Sequence, residues 1–128
     1  MTNGAVKITP LVYMDEIEKS LPFWLEGLGF EKVMDVQDNN KLLFALLQKG
    51  EQELMLNARA LIQNQFPPVV DFTSPSAALY MDVESLSPIR KLAEKYGVVV
   101  PEHKTNYGTT EIILREPGGN LVWFASHE

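Results

Sequence analysis

The sequence predicts an α+β domain made of two paired βαβββ modules whose curved sheets form a cleft. Three observations carry this. The apolar pattern runs strand, helix, strand, strand, strand twice; a glycine, Gly29 or Gly97, closes each helix; and a proline-bearing stretch without clean periodicity, 58–76, divides the halves. Self-similarity at a period of roughly 60 residues is a fold-level signal. A sheet with a helix on one face leaves its other face in need of a partner, and two such modules side by side make a cleft. A ferredoxin-like sandwich has the same alternation but needs only about four strands, and eight are read here.

In chain order, Ala5 to Met14 reads as a strand, and Asp15 with Glu18 has the Asp-x-x-Glu form of a capping box. Ile17, Leu21, Trp24, Leu25 and Leu28 then recur at helical spacing, with Pro22 expected to kink the helix and Gly29 to stop it. Phe30 to Val36, Lys41 to Leu47 and Glu53 to Asn57 form a meander through the turns Asp38-Asn39-Asn40 and Lys49-Gly50. The stretch 58–76, with Pro67, Pro68 and Pro75, is a long connection with one helical turn at its start. The second half repeats the order: strand Ala77 to Val83, a helix from Ser85 or Ser87 to Tyr96, then strands Val98 to Pro101, Thr109 to Arg115 and Leu121 to Ser126.

At 128 residues and 45% apolar content one domain is expected over 1–128, with repeat 1 at 5–57, a linker at 58–76 and repeat 2 at 77–126. The absence of cysteine excludes disulfides, a thiolate nucleophile and thiolate metal ligands. No basic segment followed by an apolar run opens the chain and no window approaches a membrane span, so a soluble, cytoplasmic protein is expected. The net charge of -6 opposes nucleic acid and anionic membranes and favours a cationic or neutral partner, although mild acidity also serves solubility. No Ser, His and Asp arrangement suggests nucleophilic catalysis, and Gly118-Gly119 reads as a hairpin turn rather than a phosphate loop.

Two sets of residues point to a family. The first is Leu11-Val12-Tyr13-Met14-Asp15, Ser20-Leu21-Pro22-Phe23-Trp24 and Leu28-Gly29-Phe30; the second is Tyr107-Gly108 and Arg115-Glu116-Pro117-Gly118-Gly119-Asn120. In this order, over nearly the whole chain, they resemble the vicinal-oxygen-chelate superfamily of glyoxalases, bleomycin-resistance proteins and extradiol dioxygenases. Glu116 stands where that family's Asp-Pro-x-Gly-Asn turn has Asp. The resemblance implies four metal-ligand positions, one per strand, and these fall on Ile8, Leu56 (Asn57 if the register moves by one), Ala78 and Trp123. Such side chains donate no electron pair to a hard cation. No metal, no cofactor and no catalytic residue is therefore expected. The resemblance then implies the metal-free, bleomycin-resistance-like branch: a homodimer that binds a small molecule, cationic or aromatic, such as an antibiotic of bleomycin type. One alternative is a metal-dependent lyase, isomerase or dioxygenase whose ligands have moved to Asn57, Glu111 and His103. Another is an interaction module whose cleft is filled by side chains.

If Ile8 holds a ligand position, strand alternation turns Ile8, Pro10 and Val12 to the cleft and Thr9, Leu11 and Tyr13 to the helix. Ala78 with Tyr80, and Leu121 with Trp123, also face the cleft. Tyr80 and Trp123 offer rings for stacking or for a cation, though Trp123 serves equally to fill the space of a missing metal. Phe44, Met55 and Asn57 are cleft candidates in one register; core packing is the favoured reading for Phe44 and Met55, while Asn57, if buried, needs a polar partner that its neighbours or a ligand can supply. Tyr107 is expected near the cleft mouth. Glu111 is a charge partner for a cationic ligand if it points inward and a solvated acid if outward, and the outward reading is favoured. His103, expected in the loop before the seventh strand, and His127, near the C-terminus, lie outside the ligand positions.

Overall fold

A computed structural model describes residues 7–61 and 77–127. The first module holds β1 (Leu11–Met14), α1 (Ile17–Pro22), β2 (Glu31–Asp38), β3 (Lys41–Lys49) and β4 (Gln52–Ala58). The second holds β5 (Ala78–Asp82), α2 (Ser87–Tyr96), β6 (Val100–Lys104), β7 (Thr110–Arg115) and β8 (Leu121–Ser126). Each forms one four-stranded mixed sheet, ordered β1-β4-β3-β2 and β5-β8-β7-β6, with the first strand parallel to the last. The two repeats thus share one topology, and the fold is α+β as expected. Residues 59–61 start a helical turn, as expected, while 62–76, together with Ala5 and Val6 of the expected first strand, lie outside the described residues.

The local signals account for most element ends. Pro22 closes the α-helical part of the first helix, which continues through Phe23–Gly27 as a π-helical turn, a place where the ladder adjusts to a missing N–H. Gly29, at φ 79°, donates its N–H to the Leu25 carbonyl and turns the chain out of the helix. The hairpin between β2 and β3 turns on Asn39 and Asn40, both at positive φ (51° and 64°), a conformation asparagine tolerates better than other side-chain-bearing residues. The expected capping box is not formed. The helix N-cap is Glu16, without a side-chain cap, and Glu18 instead accepts the backbone N–H of Leu42 at 2.7 Å, tying α1 to β3.

The core lies between the sheets and the two helices. Trp24, Phe23 and Phe30 meet edge to face, and Phe23 also packs against Tyr96 of α2 at 5.2 Å, so the apolar contact passes from one module to the other. Asn120, fully buried, joins the modules at the β7–β8 turn. Its Nδ2 donates to the Tyr13 carbonyl, its Oδ1 accepts from the Ala77 N–H, and its backbone N–H donates to Glu116.

One expectation about β1 is reversed. Val12 and Met14 are buried with Ile17 and Trp24 in the core, while Leu11 is largely exposed. Val12 therefore faces the helix, Leu11 and Tyr13 face the other way, and Ile8 lies before β1, fully open to solvent. The reason is a one-residue shift of the helix start from Asp15 to Glu16. Because Leu11 to Met14 is apolar on both parities, alternation alone could not set the face.

Candidate functional site

In β7 the residues Ile112 and Leu114 pack into the core beneath α2, as Val122 and Phe124 do in β8. Strand alternation then turns Glu111 and Ile113 to the opposite face. Two rows of paired residues cross that face. One runs Tyr80, Trp123, Ile113, Val100; the other runs Asp82, Ala125, Glu111, His103. His103 is thus a β6 residue directly opposite Glu111 rather than a loop residue, which corrects the expectation for it.

Glu111 is 2% exposed, so the outward reading is overturned. Three hydroxyls converge on its Oε2: Tyr80 at 2.8 Å, Thr109 at 2.8 Å and Tyr107 at 3.0 Å. Tyr80 reaches it from β5 across β8, where the small Ala125 leaves room. Tyr107 reaches it from the β6–β7 loop. Thr109 is itself fixed by the Thr105 hydroxyl at 2.8 Å. Among the described residues Oε1 takes no hydrogen bond, and no ion pair involves Glu111.

Burial pushes the Glu111 carboxyl up, but hydrogen bonds from Tyr80, Thr109 and Tyr107, with the nearby His103, outweigh it and hold the group below its ordinary value. The reverse effect acts on the donors. The hydrogen bond to Glu111 pushes the Tyr80 phenol up to about 12 and raises Tyr107 as well. The cluster is therefore a fixed negative charge capped by neutral hydroxyls. Both rings above it are open to solvent, Tyr80 at 54% and Tyr107 at 64% exposure.

The corresponding face of the first module carries apolar side chains beside Asn57 and the Gln48–Glu53 pair. Phe44 pairs with Asn57, Leu46 with Met55, and Leu11 with Met55 on the far side. Asn57 is nine-tenths buried, and its Nδ2 has no hydrogen-bond partner among the described residues. Of the sequence candidates, the structure brings Tyr80, Tyr107, Glu111 and Trp123 onto one face and Phe44, Met55 and Asn57 onto another. Ile8 joins neither. Thr105 and Thr109 were missed, although Thr109 is two residues from Glu111 and shares its parity. Asp82 was missed in the same way, two residues from Tyr80.

The residues do not fit the superfamily's divalent cation. Ile8 lies outside β1, Leu56 packs in the core, Ala78 has no donor atom, and Trp123 presents an indole. In the shifted set, Glu111 commits Oε2 to three hydroxyls. Among the described residues no group of three or more His, Asp or Glu could share a metal ion.

Two hollows border this architecture. One of about 870 Å³ follows the open edge of β5, lined by Leu79 to Val83 together with Trp24, Phe30 and Ile89, and shares Tyr80 with the Glu111 cluster. Its size is that of a small-molecule site, but Glu111, Tyr107 and Trp123 do not line it. The other, about 420 Å³ between α1 and α2 near Gly27 and Leu92, lies away from the carboxylate.

No protein-family model and no curated protein matches the chain. Solved structures do match it. A glyoxalase/bleomycin resistance protein/dioxygenase family enzyme from Burkholderia phytofirmans PsJN superposes with a TM-score of 0.75 at 17% identity, covering 94% of this chain and 97% of that one. A bleomycin resistance determinant encoded on the transposon Tn5 gives 0.65 at 19% identity, covering 97% and 99%. The bleomycin-binding protein of Streptomyces verticillus, solved with copper(II)-bleomycin, gives 0.59 at 21% identity, covering 99% and 100%. The fold is that of the glyoxalase/bleomycin resistance/dioxygenase superfamily.

Proposed function

We propose that this protein is a metal-independent small-molecule binding protein whose ligand is a cation carrying aromatic or other apolar surface, with bleomycin-type antibiotics as the first class to test. The observation that carries the reading is Glu111: a buried carboxylate without a charged partner among the described residues. Its charge is held by three neutral hydroxyls, and a ligand cation would add a Coulombic attraction to theirs. The rings of Tyr80, Tyr107 and Trp123 on the same face can attract the same cation. A carboxyl held below its ordinary value is an anchor rather than a proton shuttle, since a general base works best with a pKa near about 7. The two bleomycin-associated proteins of the same fold support the ligand class.

The same reading pairs two chains. Val33, Met34 and Val36 of β2 and Leu11 of β1 are exposed apolar side chains on strands that edge their sheet, a surface suited to burial against a second copy.

The test is titration of tryptophan fluorescence with bleomycin, alongside elemental analysis. Wild type should respond saturably without stoichiometric metal. Glu111→Gln should weaken binding by at least about tenfold, and Trp123→Phe should remove the signal, leaving only the buried Trp24. Stoichiometric metal, or equal binding by Glu111→Gln, would overturn the reading.

A further inference from the structure

The two oxygens of Glu111 are not equivalent, and their difference selects among cations. Oε2 accepts from three hydroxyls, Tyr80, Tyr107 and Thr109, more donors than its two lone pairs hold comfortably. Oε1 accepts none among the described residues. A guanidinium is recognised best as a fork, with two parallel N–H groups on the two oxygens of one carboxylate. That mode needs Oε2, which is spent. An ammonium is a compact point charge that can use one acceptor and rest its remaining surface on ring faces. A quaternary ammonium uses the rings but has no N–H for Oε1.

We infer that the Glu111 site is a receptor for a protonated primary or secondary amine, with the ammonium on Oε1 and the carbon skeleton against Tyr80, Tyr107 and Trp123. The inference rests on the reading of Glu111 as a cation anchor. The two tyrosine hydroxyls act as selectivity elements, because they withhold the oxygen a guanidinium would claim. This gives Tyr80 and Tyr107 a role beyond capping a buried charge, and it makes amine preference a property of their hydroxyls rather than of their rings.

The experiment compares four molecules on one skeleton by NMR titration of the full chain: 2-phenylethylamine, the matching guanidine, the matching trimethylammonium ion and 2-phenylethanol. Wild type should bind the amine about tenfold more tightly than the guanidine and the quaternary ion, and the alcohol most weakly. In the double variant Tyr80→Phe/Tyr107→Phe, which keeps both rings and frees Oε2, the guanidine should gain and the preference should collapse. A guanidine that equals or exceeds the amine on wild type, or a preference that survives in the double variant, would overturn the inference. If Glu111→Gln still weakens the charged compounds in that case, the cation anchor stands. An alcohol that binds as well as the amine, binding indifferent to Glu111→Gln, or no binding of any of the four overturns both.

Discussion

Gly118 of the β7–β8 turn lies against Met14 of β1 so closely that a methyl group on it would come within 2.8 Å of the Met14 Cβ, and within 2.5 Å of Glu116 Oε1. The Met14 Cβ is held by the backbone of a fully buried residue and cannot swing aside. Gly118→Ala should therefore cost about 1–3 kcal/mol through overpacking, seen as a lower midpoint in urea. An unchanged midpoint would mean that the modules can part there without loss.

Asn120 holds the same joint by hydrogen bonds. Asn120→Ala removes its hydrogen bonds to the part-buried Tyr13 carbonyl and Ala77 N–H, and a typical intramolecular hydrogen bond contributes about 0.5–1.5 kcal/mol. The expected loss is about 2 kcal/mol, read by chemical unfolding. A loss below about 1 kcal/mol would indicate that water replaces the side chain.

Glu111 makes stability depend on acid. Its folded carboxyl lies below the ordinary value of 4.5, so its contribution is complete above 4.5 and is lost as pH falls from there through the folded pKa. The difference in unfolding free energy between wild type and Glu111→Gln should therefore shift against wild type as pH is lowered from about 5 to about 3. The other lowered carboxylates, Glu16, Asp35 and Glu102, are present in both proteins and cancel. A pH-independent difference would contradict the hydrogen-bond geometry of the cluster.

Tyr80 provides the alkaline counterpart. Ultraviolet titration should find one phenol ionising near about 12, absent in Tyr80→Phe and moved toward the ordinary 10.0 in Glu111→Gln. Stability tied to the neutral phenol is complete below 10.0 and lost as pH rises through about 12. A phenol that titrates normally with Glu111 intact would break the link between the two side chains.

Met34 of β2 is 58% exposed between Val33 and Val36. If two chains pair there, Met34→Asp should convert a dimer to a monomer in light scattering at matched concentration, without lowering the helix and strand content. A wild-type monomer would remove the paired-chain reading and leave the Glu111 site untouched.

The order of elements was legible because its signals are local: Gly29 and Gly97 end helices, Asn39-Asn40 turns a hairpin, and Pro22 alters a helix. The face of β1 was not, since four consecutive apolar side chains carry no alternation and a helix start displaced by one residue inverts every position counted from it. Tyr80 and Trp123 were legible as residues on one face because β5 and β8 keep clear parity. Glu111 was harder. A carboxylate between Thr110 and Ile112 looks solvated until Tyr80, distant in sequence, is seen to cross a strand and cap it. Thr109 followed from parity alone and was recoverable; Thr105, which holds Thr109, acts through a turn that sequence spacing does not specify.

Every side chain of the carboxylate cluster, from Tyr80 to Glu111, belongs to the second repeat, while the matching face of the first sets Phe44, Leu46 and Met55 beside Asn57 and the Gln48–Glu53 pair. Two modules of one topology thus carry different side-chain chemistry on their matching faces. Substitutions within the cluster therefore change hydrogen bonds of the second repeat alone.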